Sequence, residues 1–418
     1  MIEIPMADTA AGQGAVQEWP TAALVDAVRA DRTWAPMPFS EFIVKTHGRC
    51  NIACDYCYMY EMADQSWRSK PMALTRATVD RVAGRLADHL HAHAAELPEV
   101  IVKLHGGEAL LVGAQEIDYA AAAFRAAAPE GTAMRLSLTT NAILLDDENM
   151  LETLLEHDVK VTVSLDGGKE AHDRHRKYAN GKGSHDKVMQ GIRQLLRPRY
   201  SHLLQLILCY IDVDNDPLDV YEELAAVGAP AVDFSLPLGN WTEPPPGWVA
   251  DGTAFADWLI PVFDRWYGTT PVPTTVRLFD DIMAMVLGGS STTEGIGIGT
   301  FRTLTVDTDG SLELVDTLRS TFEGAPSTGL DVFHDSFDAA RDHPGVVARQ
   351  IGVRGLSETC KSCALMDICG GGQYAHRYRQ GTGFLNPSVF CADLTKLIVH
   401  IRDRVIADVE ALAATQEA

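Results

Sequence analysis

The sequence lacks any apolar run long enough to cross a membrane, and residues 1–5 show neither the basic nor the apolar segment of a secretion signal. We therefore expect a cytoplasmic protein without a membrane partner, in which thiols stay reduced. Positive charge is also scarce, since 35 Lys and Arg residues stand against 57 Asp and Glu residues, a formal net charge of −22. This balance argues against a nucleic-acid partner and favours attraction of a basic peptide.

Cysteine is rare too, with eight residues in 418, and three of them share one short loop. Cys50, Cys54 and Cys57 directly follow the apolar residues 42–44. Three soft thiolates suit an iron–sulfur cluster, and a four-iron cubane with three protein ligands keeps one iron open. A structural zinc site is the alternative, although it needs a fourth ligand and His47 is the only nearby candidate.

A second group of cysteines lies near the end of the chain. Its members are Cys360, Cys363, Cys369 and Cys391. Four thiolates bind either a closed zinc ion or a complete iron–sulfur cluster, and the residues alone leave both possibilities open.

Strands alternate with helices between about residues 38 and 240. Short β-branched or leucine-rich runs predict six strands, at 41–46, 99–104, 135–140, 160–165, 203–211 and 231–236. Thr75 is a predicted helix N-cap, and Asp216 with Pro217 opens a helix that Gly228 closes. This order predicts a parallel α/β fold, as an open sheet or an incomplete barrel, with ligands at the C-terminal ends of the strands.

Small and polar residues follow three of these predicted strands. They form the runs His105-Gly106-Gly107-Glu108, Thr139-Thr140-Asn141 and Ser164-Leu165-Asp166-Gly167-Gly168. Glycines admit a ligand to the backbone, an acid suits a ligand ammonium group, and Asn, Ser and Asp side chains suit ribose hydroxyls. Each run alone is equally consistent with a turn or a helix cap, so their shared position carries the prediction of a site.

The cysteine loop and the three runs together resemble the radical S-adenosylmethionine (SAM) enzymes. The resemblance implies a partial (β/α)6 TIM-like barrel, a [4Fe–4S] cluster on the three loop cysteines, and SAM on the open iron. Glu108 would meet the methionyl amine, Tyr56 the adenine, and Arg176 the carboxylate. The remaining SAM-binding positions implied are Gly106, Gly107, Asn141, Ser164 and Asp166. Ala109 stands where the family usually has proline.

The tail resembles the SPASM extension of radical SAM enzymes that modify peptides and proteins. Full SPASM domains carry two auxiliary clusters, but Val315 and Gln373 occupy two of the ligand positions here. The resemblance thus implies one auxiliary [4Fe–4S] cluster on the four tail cysteines. The expected domains are an N-terminal arm (1–37), the radical SAM barrel (38–240), a helical linker region (241–295) and a SPASM-like domain with a C-terminal helix (296–418).

Longer stretches, at 63–68, 236–241 and 370–378, resemble the FxsB-like SPASM enzymes of ribosomal peptide natural products. That resemblance implies removal of a β-hydrogen from a precursor peptide and formation of a C–C crosslink to an aromatic ring, a three-residue cyclophane. It also implies an electron donor such as flavodoxin or ferredoxin. Restoring aromaticity requires a base, for which Asp316 is the candidate and Glu313 the reserve, although both are equally readable as solvated turn acids.

Two other functions remain open from the sequence. One is a different SPASM peptide oxidation, to a thioether or a formylglycine, and the other is a non-catalytic metal-binding scaffold. A further metal site is not expected at His89, His91 and His93, because they alternate along a predicted helix and are taken not to share a face.

Overall fold

The computed structural model describes residues 28, 30, 31 and 33–416, so most of the predicted N-terminal arm lies outside the described residues. The strands are β1 Glu41–His47, β2 Glu99–Gly106, β3 Ala133–Thr140, β4 Lys160–Ser164, β5 Leu204–Tyr210, β6 Ala231–Ser235, β7 Thr275–Val276, β8 Thr303–Val306, β9 Ser311–Glu313 and β10 Ser327–Asp331. The first seven α-helices are α1 Arg76–Ala92, α2 Ala114–Ala127, α3 Glu148–Glu156, α4 Lys169–His175, α5 His185–Leu195, α6 Pro217–Ala226 and α7 Ala254–Tyr267. The others are α8 Arg277–Val286, α9 Phe337–Arg341, α10 Pro344–Gln350, α11 Glu358–Lys361, α12 Met366–Cys369 and α13 Cys391–Gln416.

All ten strands belong to one sheet, in the order β10-β9-β8-β1-β2-β3-β4-β5-β6-β7. Strands β1 to β6 are parallel and follow one another in chain order, with helices in the connections. The prediction of a radical SAM type partial α/β barrel is confirmed. The six predicted strands all exist, and their ends differ from the prediction by at most two residues.

Four short strands outside this six-stranded unit were not predicted. β7 pairs in parallel with β6, and β8 pairs in parallel with the opposite edge strand, β1. β9 and β10 continue the sheet in antiparallel fashion. Each has two to five residues, too few for a period-two pattern to show in the sequence. The tail therefore extends the sheet of the barrel.

In strand β2, alternate side chains point to opposite faces of the sheet, one packed against the helices and the other facing a cavity. Val100, Val102 and Leu104 are fully buried beneath the helices, while His105 and the other alternate residues line a central cavity. The two predicted helix N-caps are confirmed: the Thr75 hydroxyl accepts from Thr78 N–H, and the Asp216 carboxylate accepts from two N–H groups of α6.

Among the described residues, no helix is long and apolar enough to cross a membrane.

Candidate active site

A cavity of about 1130 Å³ occupies the inside of the barrel at the C-terminal ends of its strands. Cys50, Cys54 and Cys57 line it from the loop after β1. Every predicted SAM-binding residue also lines it: Tyr56, Gly106, Gly107, Glu108, Asn141, Ser164, Asp166 and Arg176. Residues from the tail complete the opposite wall, Asp316 among them. The cavity thus brings together groups from six strand ends and the tail.

Main-chain and amide contacts fix the cysteine loop. Ala53 N–H donates to the Lys177 carbonyl at 2.7 Å, and Glu108 N–H donates to the Arg49 carbonyl at 3.0 Å. The Asn141 side-chain amide donates to Asn51 Oδ1 at 2.7 Å and lies 3.7 Å from Cys50 Sγ. The loop is therefore held in place by the ends of neighbouring strands.

Gly106 and Gly107 are needed where the cysteine loop crosses the end of β2. A Cβ on Gly106, whose φ is +151°, would lie 2.1 Å from the His47 carbonyl oxygen. One on Gly107 would lie 1.8 Å from the Tyr60 hydroxyl. The two glycines therefore admit the protein's own loop, whereas the sequence suggested that they admit a ligand.

The three loop thiols influence one another electrostatically. Burial, together with the charges of the other loop thiols, raises the pKa of Cys50 to about 11 and that of Cys57 to about 12. Burial also raises the pKa of Cys54, against the opposing charge of Arg176. Because the thiols are neutral near pH 7, a metal must displace their protons on binding.

Glu108 is buried and held by three donors. Thr140 Oγ1 donates to it at 2.8 Å, Asn141 N–H at 2.8 Å and Leu110 N–H at 3.1 Å. Burial nevertheless raises its pKa above the ordinary value. A cationic amine in the cavity would lower this pKa and restore the carboxylate, as the predicted contact with a ligand ammonium group requires.

Tyr56, Asp166 and Arg176 form a buried chain on the barrel side of the cavity. The Tyr56 hydroxyl donates to Asp166 Oδ2 at 2.5 Å and accepts from Arg176 Nη1 at 2.8 Å. Tyr210 stacks on the Tyr56 ring, with centroids 3.8 Å apart. Among the described residues, Arg176 Nε has no hydrogen-bond partner. Ser164, at the end of β4, also faces the cavity. A buried cation with a free donor is suited to an anionic ligand.

The two predicted acids of the tail differ in access to the cavity. Asp316 Oδ1 accepts from Lys45 Nζ at 2.6 Å and from Arg319 Nε at 3.0 Å, while Asp316 Oδ2 has no donor among the described residues. Glu313 accepts from Lys45 and Arg319 as well, but it does not line the cavity. Of the two acids, only Asp316 lines the cavity, and its buried Oδ2 lies 4.0 Å from His105 Nδ1.

Charge balance keeps Asp316 ionised. Burial opposes its ionisation, but the charges of Lys45 and Arg319 outweigh burial and hold its pKa below the ordinary value. The same two cations also meet Asp307 and Glu313, and Arg319 pairs with the fully buried Asp64. Neither acid is a solvated turn residue, because both belong to this buried network.

The four tail cysteines lie together outside the cavity lining. Cys369 and Cys391 each interact electrostatically with Cys360, and Cys391 also with Cys363. Cys363 and Cys391 are exposed, and Cys391 opens α13. The two vacated ligand positions, Val315 and Gln373, line the cavity itself.

Sequence reasoning missed three residues of this site. Lys45 could have been found, since a lysine inside an apolar strand needs buried counter-charges. Tyr58 directly follows the last loop cysteine and lines the cavity, and burial and the charge of Asp316 raise its pKa. Tyr210 gave no signal, because its stacking on Tyr56 depends on the pairing of distant strands.

Comparison with known proteins matches residues 44–225 to the radical SAM superfamily. Curated relatives include a serine-type anaerobic sulfatase-maturating enzyme of Bacteroides thetaiotaomicron, 26% identical over 61% of this chain and 64% of its own length. A serine-type enzyme of Klebsiella aerogenes is 22% identical over 84% of this chain and 83% of its own length. A cysteine-type enzyme of Clostridium perfringens is 21% identical over 88% and 98%.

Solved structures agree on the fold. The sulfatase-maturating enzyme anSMEcpe with bound AdoMet (SAM) matches with a TM-score of 0.75 and 20% identity, over 88% of this chain and 99% of that one. Streptococcus suis SuiB bound to precursor peptide SuiA matches with a TM-score of 0.56 and 13% identity, over 88% and 79%. The chain therefore carries a radical SAM domain, and the class uses a [4Fe–4S] cluster and SAM. The adjacent loop thiols and the free donor of Arg176 fit these two groups.

Proposed function

We propose that this protein oxidises a side chain of a peptide or protein substrate, using its radical SAM domain to remove a β-hydrogen and Asp316 to accept a proton. One observation carries the proposal: Asp316, whose Oδ2 has no hydrogen-bond partner among the described residues, lines the cavity that the three loop thiols also line. A metal-binding scaffold would not need an ionised carboxylate with an unpaired oxygen in the wall of the cavity that its thiols line.

Residues of the barrel side hold the cofactors in this proposal. Cys50, Cys54 and Cys57 ligate a [4Fe–4S] cluster, Glu108 binds the methionyl amine, and Arg176 binds the carboxylate through its free Nε. Tyr56 contacts the adenine, beside Tyr210. Ser164 and Asp166 meet the ribose, while Gly106, Gly107 and Asn141 hold the cysteine loop. Cluster and SAM together supply a hydrogen-abstracting radical, for which an electron donor such as flavodoxin or ferredoxin provides one electron.

An auxiliary [4Fe–4S] cluster is proposed on Cys360, Cys363, Cys369 and Cys391. The radical SAM match of the same chain supports a cluster over zinc, because enzymes of that class hold iron–sulfur clusters on cysteine thiolates. A second auxiliary cluster is absent from the proposal, since valine and glutamine occupy two of its ligand positions.

Asp316 acts as the base in the second half of the reaction. After a β-hydrogen atom has left, the substrate must lose one more electron and one proton to complete a two-electron oxidation. Oδ2 of Asp316 receives this proton, while Lys45 and Arg319 hold Oδ1 and fix the carboxylate. The electron would pass to the auxiliary cluster that the four tail cysteines would hold. Glu313 is proposed to position Lys45 and Arg319 and not to meet the substrate. Tyr58 lies at the same wall.

Two products fit this chemistry. The curated relatives named above are sulfatase-maturating enzymes, which supports oxidation of a Ser or Cys side chain to formylglycine. The resemblance of residues 63–68, 236–241 and 370–378 supports a cyclophane. Two of these stretches contact the segment that follows Asp316: Asp64 pairs with Arg319, and the Asn240 amide donates to the Ser320 carbonyl at 2.7 Å. These contacts are compatible with either product, and the relatives favour formylglycine.

The test is anaerobic co-expression with the small peptides encoded beside the gene, together with assay of a Ser-containing and a Cys-containing peptide in vitro. We expect 5′-deoxyadenosine and a peptide that has lost two hydrogens, or eighteen mass units from cysteine. An aldehyde-reactive hydrazide labels formylglycine only. A crosslink instead resists the hydrazide and suppresses fragment ions within the bridged residues. Protein that binds iron yet never cleaves SAM after chemical reduction would contradict the proposal and favour the scaffold.

A further inference from the structure

His89 of helix α1 and His93, the residue that caps the C-terminus of that helix, converge with an acid of helix α9 on the outside of the barrel. His89, His93 and Asp338 place one donor atom each within 4.8 Å of the others. The expectation that these histidines do not share a face was wrong for this pair. His89 and His93 are four residues apart, so they lie one turn apart on one face, and only His91 points away.

The hydrogen bonds of the two rings direct one nitrogen of each toward Asp338. His89 Nε2 lies 3.1 Å from the Phe39 carbonyl oxygen, and His93 Nδ1 lies 3.4 Å from Glu96 Oε1. The Phe39 carbonyl oxygen only accepts, so Nε2 of His89 carries the proton of that ring and Nδ1 presents a lone pair. His93 has a carboxylate at each nitrogen, Glu96 at Nδ1 and Asp338 at Nε2, so a proton on Nδ1 leaves the Nε2 lone pair for a metal. Carbonyl or carboxylate partners of this kind typically orient metal-binding imidazoles.

The lone pair of His89 Nδ1 has no donor among the described residues, although this side chain is 1% exposed. It faces Asp338 Oδ1 at 3.3 Å, which is a second acceptor. His93 Nε2 lies 2.8 Å from the same oxygen. The buried His89 Nδ1 therefore faces an acceptor and not a donor, an arrangement that a cation between the two atoms would stabilise.

We propose that His89 Nδ1, His93 Nε2 and Asp338 bind a zinc ion that joins α1 of the barrel to α9 of the tail. Nitrogen and oxygen ligands around tetrahedral zinc lie about 3.3 Å apart, close to the separations found here. Asp338 is about one third exposed, which leaves a fourth position open to water. Imidazole with one carboxylate favours zinc over calcium or magnesium.

Arg341 is the competitor for this site. Its Nη1 donates to Asp338 Oδ1 at 2.9 Å and lies 3.1 Å from His93 Nε2. Zinc binding requires this Nη1 to withdraw, and Nη2, which donates to the Pro36 carbonyl, keeps the guanidinium anchored nearby.

The test uses the full chain with its iron–sulfur clusters reconstituted anaerobically, so that the cysteines are occupied. After removal of loose metal, the protein is dialysed against zinc chloride, and zinc and iron are counted by mass spectrometry. We expect one zinc per chain in the wild type and in His91→Ala, the matched control on the same helix. His93→Ala and Asp338→Asn should lose that zinc while keeping their iron and their SAM cleavage.

Zinc-edge X-ray absorption separates this site from the cysteines, because iron does not contribute to the signal. Only nitrogen and oxygen neighbours at about 2.0–2.1 Å are expected, and zinc should raise the thermal midpoint of the wild type but not of Asp338→Asn. Sulfur neighbours at about 2.3 Å, or equal zinc content in all four proteins, would overturn the proposal. Asp338→Asn changes a half-exposed side chain, so the test does not depend on the buried ring of His89.

Discussion

The barrel wall and the tail wall of the central cavity each belong to a part of the chain with its own cysteine group, but only one group faces the cavity. The barrel wall presents three thiols among buried polar side chains. The tail wall presents Asp316, while its four cysteines lie elsewhere and two of them are exposed. A group of three leaves a metal coordination position open toward the cavity, whereas a group of four closes its own site.

The difference separates two roles for cysteine in one chain. Thiols that line a cavity bring metal to a substrate, and thiols that lie outside it hold a tail in place or pass electrons. The proposal therefore assigns chemistry to the barrel cysteines and support to the tail cysteines, and substitutions in the two groups should have unequal effects.

The largest effect is expected from the barrel group. Cys54→Ala removes one of three ligands, so formation of 5′-deoxyadenosine should fall to background. Cys363→Ala, its counterpart in the tail, should lower iron content and thermal stability but retain SAM cleavage. Iron analysis and chromatography of the nucleoside measure both effects. Equal loss of SAM cleavage in the two variants would show that the barrel cysteines and the tail cysteines do not differ in their role in SAM cleavage.

A smaller effect separates the two acids of the tail wall. Asp316→Asn should reduce peptide product about 100-fold or more, the usual contribution of a general base, while SAM cleavage continues. Glu313→Gln is the control, because it alters the same buried network without contacting the cavity. Its folded fraction should retain most of the product yield. Unchanged product from Asp316→Asn would exclude Asp316 from the reaction.

The smallest effect concerns acid stability, to which the barrel and the tail each contribute a buried histidine. Burial lowers the pKa of His172 to about 2 and that of His376 to about 3. Below about pH 6.5 the two histidines bind protons in the unfolded chain but stay neutral in the folded chain. The free energy of unfolding therefore falls as the pH drops toward these pKa values. Each histidine contributes up to about 1.4 kcal/mol per pH unit.

His172→Gln tests the barrel side of this pair. Asp166 N–H donates to His172 Nδ1 at 3.3 Å, and Nε2 lies 3.1 Å from Ser184 Oγ, contacts that a glutamine amide can reproduce. The variant should lose less thermal stability than the wild type between pH 7 and pH 5. An identical pH dependence would show that His172 does not control acid sensitivity.

Local sequence patterns predicted most of the barrel. Periodicity located six strands, and Thr75 and Asp216 located helix starts, because these signals arise from neighbouring residues. The cavity-lining thiols and polar runs were also predictable, since parallel strands bring their C-terminal ends together. The grouping of Cys50 with Asn141 follows from that rule.

Contacts between distant segments were not predictable. Strand β8 is recognised as a strand only through its pairing with β1, and the counter-charges of Lys45 lie more than 260 residues away. The contact between His89 and Asp338 likewise depends on the packing of α9 against α1. In each case the determining partner lies outside any local window of sequence.

The parallel pairing of β8 with β1 limits how the molecule can be divided. β1 leads directly into the cysteine loop, and its Lys45 meets Asp307, Glu313 and Asp316 from the tail. A chain truncated before β8 would expose β1 as an unpaired edge and leave a buried ammonium without counter-ions, which favours aggregation. Excising the tail to obtain a minimal catalyst should therefore give insoluble protein, and swapping tails between relatives would require exchanging β1 as well.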